Sequence, residues 1–259
     1  MNKIILGLTL SLGILGSAHA IVVTGSTNAN DLAQAIAGSG ITVSNASLTT
    51  DTTNGNGTFT GGNASGLGFD TGVVLTTGTL NCVPGPNNQS GCTGGGASSS
   101  LKFDFTTPTG SVFFKYVFAS EEYNEFVGSI FNDIFQLKLN GINIALLPGG
   151  GGVVSINNVN LGQNSAFYRN NSGAGSLGLD IQYDGLTTVL TASGTGLTGT
   201  NTFEFLIQDT GDASLDSGIF IQADSFSGTD PGTGVPEPLS LGLLGLGLAG
   251  MGIIRRRKA

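Results

Sequence analysis

Histidine, methionine and tryptophan are missing from the body of this 259-residue chain. The single His (His19) and both Met residues (Met1 and Met251) fall in its two ends, and Trp occurs nowhere. Without imidazole, neither a Ser-His-Asp nor a Cys-His catalytic arrangement can form, and histidine ligation of zinc is excluded. Positive charge is nearly as scarce. From Ile21 to Val235 there are sixteen acidic residues against four basic ones (Lys102, Lys115, Lys138 and Arg169), a formal net charge of −12. Such a surface repels phosphate backbones, which excludes nucleic-acid binding, and attracts divalent cations. Only two cysteines occur, Cys82 and Cys92, flanking a Pro/Gly-rich loop with no Cys-x-x-Cys spacing. In an oxidising compartment they are expected to form one disulfide, a local staple of about 2–3 kcal/mol. No fixed-period repeat is visible, which argues against a solenoid.

The ends are what the chain does have in recognisable form. Residues 1–20 carry Lys3, an apolar stretch from Ile4 to Leu15 and the small-residue site Ala18-His19-Ala20, the pattern of a cleavable secretory signal peptide. Residues 235–259 carry Val235-Pro236-Glu237-Pro238, an apolar run from Leu239 to Ile254, and Arg255, Arg256, Arg257 and Lys258. That run is 16 residues, short of the ~20 that span a bilayer squarely. Arginine side chains reaching to the head groups close the gap. The basic cluster holds this end on the cytoplasmic side and leaves the rest outside. An ordinary permanent membrane anchor would deliver the same domain to the same side. The tripartite tail resembles the PEP-CTERM sorting signal of Gram-negative bacteria. The resemblance implies export by the general secretion machinery, a transient inner-membrane anchor, and recognition of the Pro236-Glu237-Pro238 region by an exosortase that cleaves nearby. The product would reach the cell surface or the extracellular space.

Between the ends, Gly, Ser, Thr and Asn dominate, a composition compatible with disorder. Periodicity points to strands instead. Lys102–Phe105 and the start of Thr202–Ile207 alternate polar and apolar, and Val112, Phe114, Tyr116 and Phe118 share one face. Phe135–Leu139 and Ile142–Leu147 are joined by Asn140-Gly141, the preferred pair for a type I′ hairpin turn. Further strands are expected at Val73–Thr76, Val153–Ile156, Thr187–Thr191 and Gly218–Phe226. One helix is expected over Leu32–Ala37, capped by Asn30-Asp31 and stopped by Gly38. Thr49–Gly68 and Pro84–Ser100 look like loops. Short strands over this length predict an all-β, antiparallel two-sheet β-sandwich of jelly-roll type across residues 21–228. A flexible linker at 229–234 follows.

Two acidic segments are candidates for chemistry. The first holds Glu121, Glu122 and Glu125, with Asp133 close behind; the second holds Asp209, Asp212 and Asp216. Crowded carboxylates repel one another unless a cation or donors stand between them. Carboxylates, hydroxyls and carbonyls in irregular loops suit calcium, which takes six to eight oxygens, although the spacing is not that of an EF-hand. The same residues also build ordinary turns. Glu121, Glu122 and Glu125 could in principle serve as a glycosidase pair, but the body has no Trp and few aromatics to stack sugars. Pro148–Gly152 lacks the Lys-Ser/Thr and the helix of a phosphate loop.

Several phrases match a bacterial surface family in order: Gly40–Asn45, Gly72–Gly78, Tyr116–Gly128 with its Ser120-Glu121-Glu122-Tyr123, Asn143–Gly149, Val154–Asn160, Tyr183–Ala192 and Asp216–Phe220. Together they resemble the choice-of-anchor L domain, over roughly Leu32 to Phe226. The resemblance implies one extracellular domain that occurs with alternative C-terminal anchors, PEP-CTERM among them. The expectation is a non-enzymatic surface or matrix protein organising the cell surface or an exopolysaccharide biofilm, with calcium stiffening its acidic loops. The alternatives are a glycan-binding, adhesin-type module and, behind it, a carbohydrate-active hydrolase.

Overall fold

The computed structural model describes residues 20–88, 98–210 and 214–232. Residues 1–19 of the expected signal peptide, Cys92, Asp212 and the sorting tail, with Pro236, Glu237, Pro238, Arg255, Arg256, Arg257 and Lys258, lie outside them.

Thirteen strands follow one another with a single α-helix among the described residues. They are β1 (Val22–Gly25), β2 (Thr42–Thr50), β3 (Asn56–Thr60), β4 (Gly72–Thr76), β5 (Ser98–Thr106), β6 (Ser111–Ser120), β7 (Ile134–Leu139), β8 (Ile142–Asn143), β9 (Tyr168–Asn170), β10 (Gly185–Thr187), β11 (Leu190–Thr195), β12 (Asn201–Gln208) and β13 (Ser217–Gln222). The larger sheet runs β1-β3-β4-β13-β6-β10-β9, with β11 also on β6; the smaller runs β2-β5-β12-β7-β8. The strand pairs are antiparallel.

The core between the sheets follows from side-chain alternation. Phe103 and Phe105 of β5 and Phe203 and Phe205 of β12 face Phe114, Tyr116 and Phe118 of β6, all fully buried. Rings meet across the gap: Phe114 lies 5.1 Å from Phe203 edge-on, and Tyr116 5.0 Å from Phe135. The other face of the large sheet is covered too. Val117, Ala119, Val74 and Phe220 point into a second cluster roofed by Leu67, Phe69, Val83 and Ile181 from the connecting loops. Arg169 fastens one of these loops, its guanidinium donating to the carbonyls of Gly66 and Thr187. Burial lowers its pKa to about 10.

The two-sheet sandwich agrees with expectation, and several details differ. The helix α1 covers Ala29–Ile36, and its cap is Asn28, whose side chain accepts from the Asn30 and Asp31 amides, two residues ahead of the expected Asn30-Asp31. Asn140 and Gly141 both take positive φ, 49° and 85°, as the expected turn demands, but β8 stops after two residues. Val153–Ile156 makes isolated bridges only. The expected strand at 187–191 is two strands, β10 and β11, that share one edge of β6. The expected loop at 49–68 contains β3 and the end of β2.

Candidate functional site

The acidic residues lie one step beyond the strand ends, at the same end of both sheets. In the large sheet Ser120 pairs with Gly185 on one side and Ser217 on the other. One residue further on, Glu121 is therefore level with Asp184 and Asp216, and its amide donates to the Asp216 carbonyl at 2.9 Å. The row extends outward, because the Asn171 amide donates to the Asp184 carbonyl at 2.8 Å, and Gly78 lies beside Asp216. A Cβ built at Gly78 would stand inside the Asp216 carboxylate. In the small sheet Gln208 pairs with Ile134, so Asp209 is level with Asp133. Like charges directly opposite on neighbouring strands destabilise a sheet, yet both sheets carry them at this end.

These side chains are deeply buried. Glu121, Glu122, Asp133, Asp209 and Asp216 retain 3%, 2%, 1%, 7% and 1% of their exposure. Asp133 accepts hydrogen bonds from the Thr210 amide (3.0 Å) and the Ser217 hydroxyl (2.7 Å). Both carboxylate oxygens of Asp209, both of Asp216 and Oε1 of Glu121 are buried without an aligned hydrogen bond. Burial, reinforced by Asp184, Asp216 and Glu125, pushes Glu121 up to about 9. Burial likewise raises Asp209 to about 8, with Asp133, Asp216 and Glu122 adding to it and the nearby Thr77 hydroxyl easing it. Asp216 rises to about 7 through burial and Asp133. Among the described residues, no lysine or arginine contributes to these shifts. Lys138 pairs instead with Glu204 at 3.7 Å on the surface.

The candidate ligands are thus brought to one end, 88 residues apart in sequence between Glu121 and Asp209. Asp212 lies outside the described residues, and Glu125 is exposed at the rim. Asp184, which the acidic segments did not include, joins the row. It is a lone acid in Tyr183-Asp184-Gly185 and reads as a turn, so only the strand register reveals it. Among the described residues no three acidic side chains already converge as a finished metal centre. The donor chemistry nonetheless fits a hard cation, being all oxygen with no sulfur or imidazole. Two clefts, one lined by Leu139, Ile142 and Gly194 and one by Leu48, Thr50 and Asn54, contain no carboxylate.

The fold and the tail define the class, an exported β-sandwich with a C-terminal sorting signal. The family model for the choice-of-anchor L domain matches residues 21–227, and that for the PEP-CTERM protein-sorting motif matches 234–258. The chain belongs to the choice-of-anchor L domain family. Its sorting motif marks it as an exported protein, recognised by an exosortase and directed to the cell surface. Neither family is an enzymatic one. No curated protein and no solved structure matches the chain. No helix among the described residues is long and apolar enough to cross a membrane.

Proposed function

We propose that this protein is a non-enzymatic structural module of the surface or extracellular matrix of a Gram-negative bacterium, stiffened by calcium at one end of its sandwich. Glu122, Asp133, Asp209 and Asp216 are the ligands, drawn from both sheets. The observation that carries this reading is the set of four buried oxygens of Asp209 and Asp216 without an aligned hydrogen bond. An isolated buried charge costs several kcal/mol unless it is neutralised or paired. A bound calcium would join strands β7, β12 and β13 and the end of β6, tying one sheet to the other.

The hydrolase alternative loses support from the same geometry. Glu121 and Glu122 are buried beyond the reach of a sugar, whereas a glycosidase pair must flank the scissile bond. The surroundings proposed for the module are exopolysaccharide and surface glycan in a biofilm, on the strength of its export and polar surface. The Cys82–Cys92 staple belongs to the same proposal. Alkylating the denatured protein without reductant should label neither cysteine, and labelling of both would remove the staple. The functional reading is tested by fractionating cells that export the protein. It should be recovered from the surface or matrix fraction, resistant to protease in calcium and digested in EDTA. Retention in the cytoplasm, or equal digestion in both buffers, would overturn it.

A further inference from the structure

The small sheet ends at β8, and the chain beyond it builds an open edge. Leu146 and Val153 form an isolated antiparallel bridge there, and Ser155 bridges Ile134 of β7. On the inner side of this hairpin Ala145, Leu147 and Val154 join the core between the sheets. Alternation turns Leu146 and Val153 outward, where a sheet with one solvated face ordinarily carries polar residues. Each is 49% exposed, and Ile142 and Leu161 on the same stretch reach 70% and 60%. These side chains are half of the large apolar ones exposed among the described residues, and no charged residue occurs from Leu139 to Tyr168. Single exposed apolar residues are ordinary, but an adjoining pair on an uncharged surface marks an interaction site.

We propose that a second copy of this chain docks on this edge, Leu146 and Val153 of each copy packing against the same pair of the other about a two-fold axis. Charge selects that occupant. A body of net charge −12 repels its own acidic faces and an anionic lipid surface alike, while a basic partner is drawn to the acidic faces instead. Two uncharged edges meet without that penalty, and an apolar, charge-depleted centre is typical of homodimer interfaces. The hairpin is also braced in advance. The Leu147 amide donates to the Gly152 carbonyl at 2.8 Å and the Val154 amide to the Ala145 carbonyl at 3.0 Å. The Asn158 side-chain amide donates to the carbonyls of Gly151 (2.8 Å) and Val153 (2.7 Å), and that of Asn164 to the Asn158 carbonyl at 2.8 Å. A hairpin held in this way loses little conformational freedom on docking. No residue of the acidic end takes part, so docking does not depend on a bound cation.

The test is sedimentation velocity of the exported protein at micromolar concentration. The wild type should sediment as a dimer, and raising the salt should strengthen association by screening the repulsion between the two bodies. Leu146→Glu and Val153→Glu should each weaken it by about a hundredfold, because each buried charge enters the interface twice, with the melting temperature unchanged. Leu146→Met keeps the apolar surface and should leave the dimer intact. So should Leu177→Glu, which changes an exposed apolar residue on a different loop. A wild-type monomer, or a dimer that persists in both Leu146→Glu and Val153→Glu, would overturn the proposal. A dimer that salt dissociates would also overturn it, because its contacts would be charged ones. A monomer that co-sediments with phosphatidylcholine vesicles, and no longer does so as Leu146→Glu, would assign the edge to a lipid surface instead.

Discussion

Gly78 matters through the side chain it lacks, because the Asp216 carboxylate occupies the space where its Cβ would be. Gly78→Ala should displace that carboxylate, destabilising the protein by about 1–3 kcal/mol as overpacking does, and should abolish the calcium response. Urea unfolding with and without calcium measures both; an unchanged midpoint and response would place Asp216 outside the site. The buried acids also dictate a pH dependence. Glu121, Asp209 and Asp216 have folded-state values of about 9, 8 and 7, against ordinary values of 4.5 and 3.8. Below pH ~4 both states hold these protons and nothing is lost. As pH rises, the unfolded chain releases protons that the folded chain retains, so their contribution to stability falls until about pH 9. On the calcium proposal, a bound ion would hold the carboxylates ionised, and its affinity would rise as protons leave. The gain in melting temperature from calcium should therefore be small at pH 5 and grow through pH 7 to 9. A gain independent of pH would show that these groups do not bind the ion. At this scale the sequence marked six of the described carboxylates as candidates. It did not mark Asp184, because an Asp-Gly pair is what any turn contains.

At the scale of elements, what the sequence revealed depended on aromatic alternation. β5, β6 and β12 alternate large apolar side chains at every second position over much of their length (Leu101, Phe103 and Phe105; Val112, Phe114, Tyr116 and Phe118; Phe203, Phe205 and Ile207), and those strands stand where the period put them. β2 was missed because Thr and Ser carry no pattern and because a bulge breaks its period. The register shifts between Ser44 and Ser47, Asn45 takes φ 52°, and the residues packed on the core are Val43, Ala46 and Leu48. β1 and β3 are short and too poor in apolar alternation to stand out. The same alternation locates the stability of the sandwich. Phe203 touches Phe114, Phe205 and Phe226 at 4.7–5.1 Å between ring centroids. Phe203→Ala should cost about 3–5 kcal/mol, read as a lowered urea midpoint. A loss below 1 kcal/mol would mean that the two sheets are held together elsewhere.

For the whole molecule, two levels of information were separable. The sorting signal was legible from local sequence, since a sorting tail needs no tertiary context. The site was only half legible: each acidic segment was visible, but their meeting depends on pairings between β6, β7, β12 and β13 across nearly a hundred residues. The sandwich places two acidic strand ends of each sheet together, and the proposed external cation is what would compensate them once their protons leave. The most direct test is thermal unfolding of the exported protein at pH 8, in millimolar calcium and then in EDTA, beside Asp216→Asn. Calcium should raise the wild-type stability by ~2.7 kcal/mol at a hundredfold excess over its dissociation constant. Asp216→Asn should lose that gain, while in EDTA it should melt above the wild type, because it removes a repelling charge. Equal melting of the wild type in calcium and EDTA would contradict the cation-stabilised fold.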